Sequence, residues 1–210
     1  MSSYNGIPML QQFELQLKEG TQVPWTEFEE DIAHPLDFLQ GGLAPSLKHL
    51  SLHGDLAIEW SQSMLQNLTI LDLQCLSPSF WPNATHFRQI LTNCPRLINL
   101  SLDGAGPLFE EQGLEKIPPV PLIYLHTLFI AEFTCPYAIF LFSQFLAPSL
   151  NDLTLMDLCG DDYSPVFLQL TSAFPKVRLL TILSIQFDVS PIGMNIMTAW
   201  LESMPLLAYL

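Results

Sequence analysis

One six-residue pattern, L-x-x-L-x-L, recurs along this chain far more often than chance placement of leucine allows. It opens as Pro8-x-Leu10-x-x-Phe13-x-Leu15 and returns as Pro45-x-Leu47-x-x-Leu50-x-Leu52. Leu68, Leu71 and Leu73 form a third copy without proline, and Pro95-x-Leu97-x-x-Leu100-x-Leu102 is the fourth. Leu125, Leu128 and Ile130 make a fifth, followed by Pro148-x-Leu150-x-x-Leu153-x-Leu155 and Pro175-x-Val177-x-x-Leu180-x-Ile182. An unfinished copy, Pro205-x-Leu207-x-x-Leu210, stands last. The L-x-L part reads as a short strand with its aliphatic side chains on one face. One such strand cannot bury that face alone, so successive strands must stack in parallel and share a core.

Most neighbouring copies lie about 21 to 30 residues apart, with a longer first gap. That is the period of leucine-rich repeats. The expected fold is therefore α/β: a leucine-rich-repeat solenoid, parallel strands on the concave face, helices and loops on the convex face. The proline ahead of most copies is expected to hold the incoming chain extended and to stop the preceding helix. All 210 residues are expected to form one domain of about seven repeats plus a truncated last one.

Several intervening segments read as helix. NATHFRQILTNC, residues 83–94, places Phe87, Ile90, Leu91 and Cys94 on one face. Ser164-Pro165 and Ser190-Pro191 look like an N-cap followed by a first-turn proline. CPYAIFLFSQFLA is expected to be a buried helix using Ile139, Phe142, Phe145 and Leu146, since its apolar core is about half the ~20 residues a membrane span needs.

The wording between copies is similar to one family. FLQGGLAPSLKHLSLHG, IEWSQSMLQNLTILDLQ and FRQILTNCPRLINLSLDGAGP resemble the leucine-rich region of fungal F-box proteins. The likeness covers roughly residues 6–210 and is most specific over 38–107. It implies a substrate receptor of cullin-type ubiquitin ligases, in which F-box helices bind a Skp-family adaptor and the repeats hold the protein to be ubiquitinated. Nothing ahead of the first repeat resembles an L-P-x-E helix or a C-K-x-W phrase. The resemblance thus implies the receptor half alone, with adaptor and cullin as partners only of a protein that also carries an F-box. The last copy breaks off at Leu210 with no polar cap in view, so a fragment is expected. A leucine-rich scaffold or inhibitor unrelated to ubiquitin is the alternative.

The chemistry of the chain narrows the role. Its net charge is −14, from 21 acidic residues against 7 basic, which disfavours nucleic acid and anionic membranes as partners. Cys75, Cys94, Cys135 and Cys159 form no close pair, and no signal peptide opens the chain, so a reducing cytoplasmic or nuclear compartment is expected. The sequons at Asn67 and Asn83 then read as accidents of spelling. No G-x-S-x-G, Walker A, G-x-G-x-x-G or H-E-x-x-H motif is present, so neither enzymatic activity nor a cofactor is expected. His49 and His53 beside Asp72 could form a metal pair, yet no third His or Cys falls naturally beside them; they read as solvent-facing side chains. Glu27, Glu29, Glu30 and Asp31 read as a solvated loop, Asp161-Asp162 as charge at a helix start, and Cys94 as a buried thiol.

If Leu50 and Leu52 face the core, the residues beside them face the concave surface, and the offset holds in every copy. The expected protein-binding face is Gln12, Glu14, Gln16, His49, Ser51 and His53, then Ile70, Asp72, Gln74, Asn99, Ser101 and Asp103. It continues through Thr127, Phe129, Ala131, Asp152, Thr154, Met156, Leu179, Thr181 and Leu183. The early part is polar and mildly acidic, while Phe129, Met156, Leu179 and Leu183 add apolar area. Either a partner docks on that area, with Phe129 and Met156 as anchors, or further chain covers it.

Overall fold

The computed structural model describes residues 7–16, 44–54, 60, 65–109, 118–157 and 162–210. The acidic run at 27–31, Cys159 and Asp161 lie outside the described residues. The leucine phrases become strands β1 (Gln12–Gln16), β2 (His49–His53), β3 (Ile70–Gln74) and β4 (Asn99–Asp103). After the two-residue β5 (Val120–Pro121) come β6 (Thr127–Ala131), the two-residue β7 (Phe145–Leu146), β8 (Asp152–Met156) and β9 (Leu179–Leu183). Helices α1 (Ala84–Asn93), α2 (Cys135–Phe142), α3 (Ser164–Leu170) and α4 (Pro191–Glu202) follow β3, β6, β8 and β9. The result is an α/β fold around a seven-stranded, all-parallel sheet, ordered β1-β2-β3-β4-β6-β8-β9. β5 and β7 pair separately as a two-stranded parallel sheet.

Register across the large sheet joins equivalent residues of every phrase. Phe13, Leu50, Leu71, Leu100, Leu128, Leu153 and Leu180 form one row, and Leu15, Leu52, Leu73, Leu102, Ile130, Leu155 and Ile182 form the next. From β2 to β8 both rows are buried, in one contiguous cluster that takes in Phe87, Ile90 and Leu91 of α1, Phe140 and Leu141 of α2, Val166 and Phe167 of α3, and Trp200 of α4. Burying a leucine contributes about 1.5–3 kcal/mol, and here each repeat supplies the surface that buries its neighbour.

Two local devices recur with the strands. First, the proline does not extend the chain. Leu47 N–H donates to Ala44 C=O (3.1 Å), and the same turn closes at Leu10–Ile7, Leu97–Cys94, Leu150–Ala147, Val177–Phe174 and Leu207–Met204. Pro8, Pro45, Pro95, Pro148, Pro175 and Pro205 therefore occupy the second position of a β-turn, where a fixed φ near −65° fits. Second, each strand from β2 onward (β5 and β7 aside) is followed by a left-handed residue: Gly54, Cys75, Gly104, Glu132, Asp157 and Ser184, with φ between 47° and 92°. The N–H groups of the first five donate to the last carbonyl of the next strand, Gly54 to Gln74 (3.0 Å) and Cys75 to Asp103 (2.7 Å) among them. These turns pin where every strand begins and ends.

The helices depart from expectation in two places. α2 ends at Phe142, and Phe145 and Leu146 form β7 instead, leaving Leu146 exposed. Ser143 and Gln144 terminate the helix by bonding back to it: both the Ser143 hydroxyl (2.5 Å) and the Gln144 amide (3.0 Å) donate to Phe140 C=O. Ser164 is the first residue of α3 rather than its cap; Asp162 accepts from its N–H (2.9 Å) and hydroxyl (2.7 Å) and does the capping. Ser190 caps α4 as expected, accepting from Gly193 N–H. Both sequon asparagines serve the fold: Asn83 accepts from His86 N–H to cap α1, and Asn67 takes a left-handed φ where the third phrase lacks proline. Aromatic side chains tie repeats across the loops. Trp60 Nε1 donates to Phe80 C=O (2.6 Å), Tyr137 hydroxyl to Pro107 C=O (2.6 Å), and Tyr163 hydroxyl to Phe133 C=O.

Candidate functional site

The residues alternating with the leucines cover the other, open face of the sheet in three straight rows. Register sets Gln12, His49, Ile70, Asn99, Thr127, Asp152 and Leu179 side by side. The middle row is Glu14, Ser51, Asp72, Ser101, Phe129, Thr154 and Thr181. The row at the strand ends is Gln16, His53, Gln74, Asp103, Ala131, Met156 and Leu183. With strands about 4.8 Å apart, each row is a ladder of neighbouring side chains. From β2 to β8 these residues, Ala131 excepted, are half-buried, as side chains packed shoulder to shoulder must be.

Ala131 is the correction. It falls in register between Asp103 and Met156, yet it is 0% exposed. Its methyl group is too short to stand clear of the longer side chains flanking it, so it presents no surface to a partner. Leu179 and Leu183, at the sheet edge, are exposed as expected, although Tyr209 bridges to Leu179 and accepts from Leu180 N–H (3.0 Å).

Polar bonds on this face run between neighbouring strands and along β3. Ser51 hydroxyl donates to Asp72 Oδ2 (3.0 Å), and Gln74 Nε2 donates to both Asp72 oxygens (3.0 and 2.9 Å). His53 Nδ1 lies 3.2 Å from Gln74 Oε1, and His49 Nε2 lies 3.9 Å from Glu14 Oε1. This network holds the side chains on β2 and β3 in place, which lowers the ordering cost of meeting a partner.

Beyond β3 the face becomes electrostatically strained. Burial, then the carboxylates of Glu132, Asp72 and Asp157, push the Asp103 carboxyl above its usual range, with His53 opposing them. Burial alone raises Asp152. Glu132 matters here although it lies outside the strand phrase. Its left-handed backbone brings the carboxylate beside Gly104, where an added Cβ would sit 3.0 Å from Oε2. Reading the strand alone misses it; the signal is its position directly after the phrase, shared with Gly104 and Asp157.

Among the described residues no group of three or more His, Cys, Asp or Glu could hold a metal ion, and His49, His53 and Asp72 are not gathered into one. Cys94 is buried and its thiol is pushed up to about 11 by desolvation, so it is a weak nucleophile in this setting. No helix among the described residues is long and apolar enough to cross a membrane. On the helix side, Phe142, Phe145, Leu146, Leu170 and Phe174 line an apolar groove of about 320 Å³ that sequence reasoning missed. Phe142, Phe145 and Leu146 come from a segment that the sequence reads as one helix, and Leu170 and Phe174 come from α3 and the turn after it. Compared with protein-family models, curated proteins and solved structures, the chain matches none.

Proposed function

We propose that the chain is a leucine-rich-repeat solenoid, a single domain that binds another protein on the open face of its sheet without catalysis. The observation that carries this reading is the set of three registered rows, which offer ordered, half-buried polar groups together with Phe129 and Met156. A strand-lined surface of this breadth suits a protein better than a small molecule, which prefers a concave, enclosed site. The role proposed is substrate recognition within an F-box-type ubiquitin ligase receptor, acting in the cytoplasm or nucleus. Its support is the resemblance of residues 38–107 to the leucine-rich region of fungal F-box proteins. The alternative reading is a scaffold or inhibitor unrelated to ubiquitin.

One experiment tests the face and a second separates the two readings. Replacing Phe129 and Met156 together by aspartate should abolish partner capture while leaving the far-UV spectrum and melting temperature near wild type; unchanged capture refutes the site. Affinity purification of the whole gene product should recover a Skp-family adaptor and a cullin. Recovery of other partners without them supports the scaffold.

A further inference from the structure

We infer that the partner of this face is a basic, extended protein segment that sets a lysine or arginine against Asp103 and Glu132 and an apolar side chain against Phe129 and Met156. The inference rests on the protein-binding reading and adds the chemistry of what is bound.

Basic charge on the described part of the molecule is confined to the strand-start side and α1, where Asp152 is the acidic residue that opens a strand. Lys48, Arg96, Lys176 and Arg178 all precede their strands, and Arg88 sits on α1. Asp103, Glu132 and Asp157 stand at the opposite ends, where β4, β6 and β8 finish. Because the sheet is all parallel, every strand start lies on one side, so the basic residues cannot reach the acidic ones. A five-residue strand separates the two sides by about 16 Å, twice the ~8 Å screening length of physiological salt. Among the described residues no lysine or arginine pairs with Asp72, Asp103 or Glu132; the only charged neighbour that favours the Asp103 carboxylate is His53. Burial first, and then repulsion from Glu132, Asp72 and Asp157, raises the affinity of Asp103 for its proton, and an incoming cation would offset the repulsive part.

The apolar part lies directly alongside. Asp103 pairs with Ala131 across the sheet, and Phe129 stands two residues back on that same strand. That offset puts the carboxylate position about 8 Å from the phenyl position. In an extended segment, residues two apart share a face at about 6.6–7 Å. One segment can therefore fill both positions, and Met156, in register with Ala131 on β8, widens the apolar contact. Charge complementarity steers such a segment to this end of the sheet, and the apolar anchor retains it.

A fluorescein-labelled peptide of repeated Arg-Ser-Leu-Ser tests this, with Glu-Ser-Leu-Ser and Arg-Ser-Ser-Ser repeats as comparisons, read by anisotropy across a salt series. Arg-Ser-Leu-Ser should bind the wild-type chain and weaken as salt rises. Binding should fall about tenfold in the D103N/E132Q double variant and about tenfold in Phe129→Ala. Glu202→Gln, on α4, should leave it unchanged, and Arg-Ser-Ser-Ser should not respond to Phe129→Ala. Equal binding of Glu-Ser-Leu-Ser, or indifference to either variant, overturns the inference. Both variants are first checked for melting no lower than that of the wild type. Natural-partner capture distinguishes the two levels of the argument. If the Phe129→Asp, Met156→Asp protein loses capture while D103N/E132Q captures normally at every salt concentration, the face binds protein and the basic chemistry is refuted. If neither change affects capture, the face itself is refuted.

Discussion

Replacing Leu153 by alanine probes the shared core at a fully enclosed point. The side chain is 0% exposed and lies in register between Leu128 and Leu180. Truncation removes about three methylene equivalents at ~0.8 kcal/mol each, or about 2.4 kcal/mol of transfer free energy. Neighbouring strands are held by backbone bonds on both sides, so they cannot close the gap, and the residual cavity raises the expected loss to about 3–5 kcal/mol. Leu183→Ala is the matched comparison on the open face. That side chain is 50% exposed and leaves no enclosed void, so its loss should stay below about 1 kcal/mol. Urea unfolding followed by far-UV circular dichroism measures both, with the m-value checking that the unfolding unit is unchanged. A difference of less than about 1 kcal/mol between the two variants would refute the assignment of the leucine rows to one tightly packed core.

The turns and carboxylates give further tests. Gly104→Ala should cost about 1–2 kcal/mol, because alanine must take a left-handed φ and its methyl group meets Glu132 at 3.0 Å; thermal melting reads the loss. Gly193→Ala should cost more, since the added carbon would lie 1.9 Å from the Asp188 carbonyl oxygen and the α4 start must shift. Asp103→Asn should stabilise the fold at neutral pH. The folded carboxyl binds its proton more tightly than the unfolded one, so wild-type stability falls as pH rises through the raised folded value, and the variant's advantage should vanish below about pH 4. Asp162 behaves oppositely: hydrogen bonds from the Ser164 hydroxyl and backbone hold its carboxyl below the usual range. Its contribution is present above about pH 4 and lost as pH falls through the folded value, so Asp162→Asn should flatten the acid side of a melting-temperature profile.

Much of the candidate face follows from period alone. Once Leu50 and Leu52 point inward, His49, Ser51 and His53 must point outward, and repetition of the phrase carries that offset to Asp152, Thr154 and Met156. Ala131 breaks the rule because alternation assigns a direction to a side chain, whereas exposure depends on its length relative to its neighbours. Ser164-Pro165 and Ser190-Pro191 read alike in sequence, yet only Ser190 caps its helix. Which hydroxyl reaches the orphan N–H depends on where the preceding loop lands, and Asp162 arrives first at α3.

The chain's own spelling determined the parallel strand set, the buried leucine rows and the polar identity of the opposite face, since a period-two phrase that recurs can satisfy its apolar side only by stacking. Tertiary structure alone decided that proline starts a turn, that Phe145 and Leu146 leave their helix, and that Glu132 joins Asp103 at one end of the sheet. Those outcomes depend on distances between residues far apart in sequence and on backbone left-handedness at non-glycine positions, neither of which side-chain periodicity encodes.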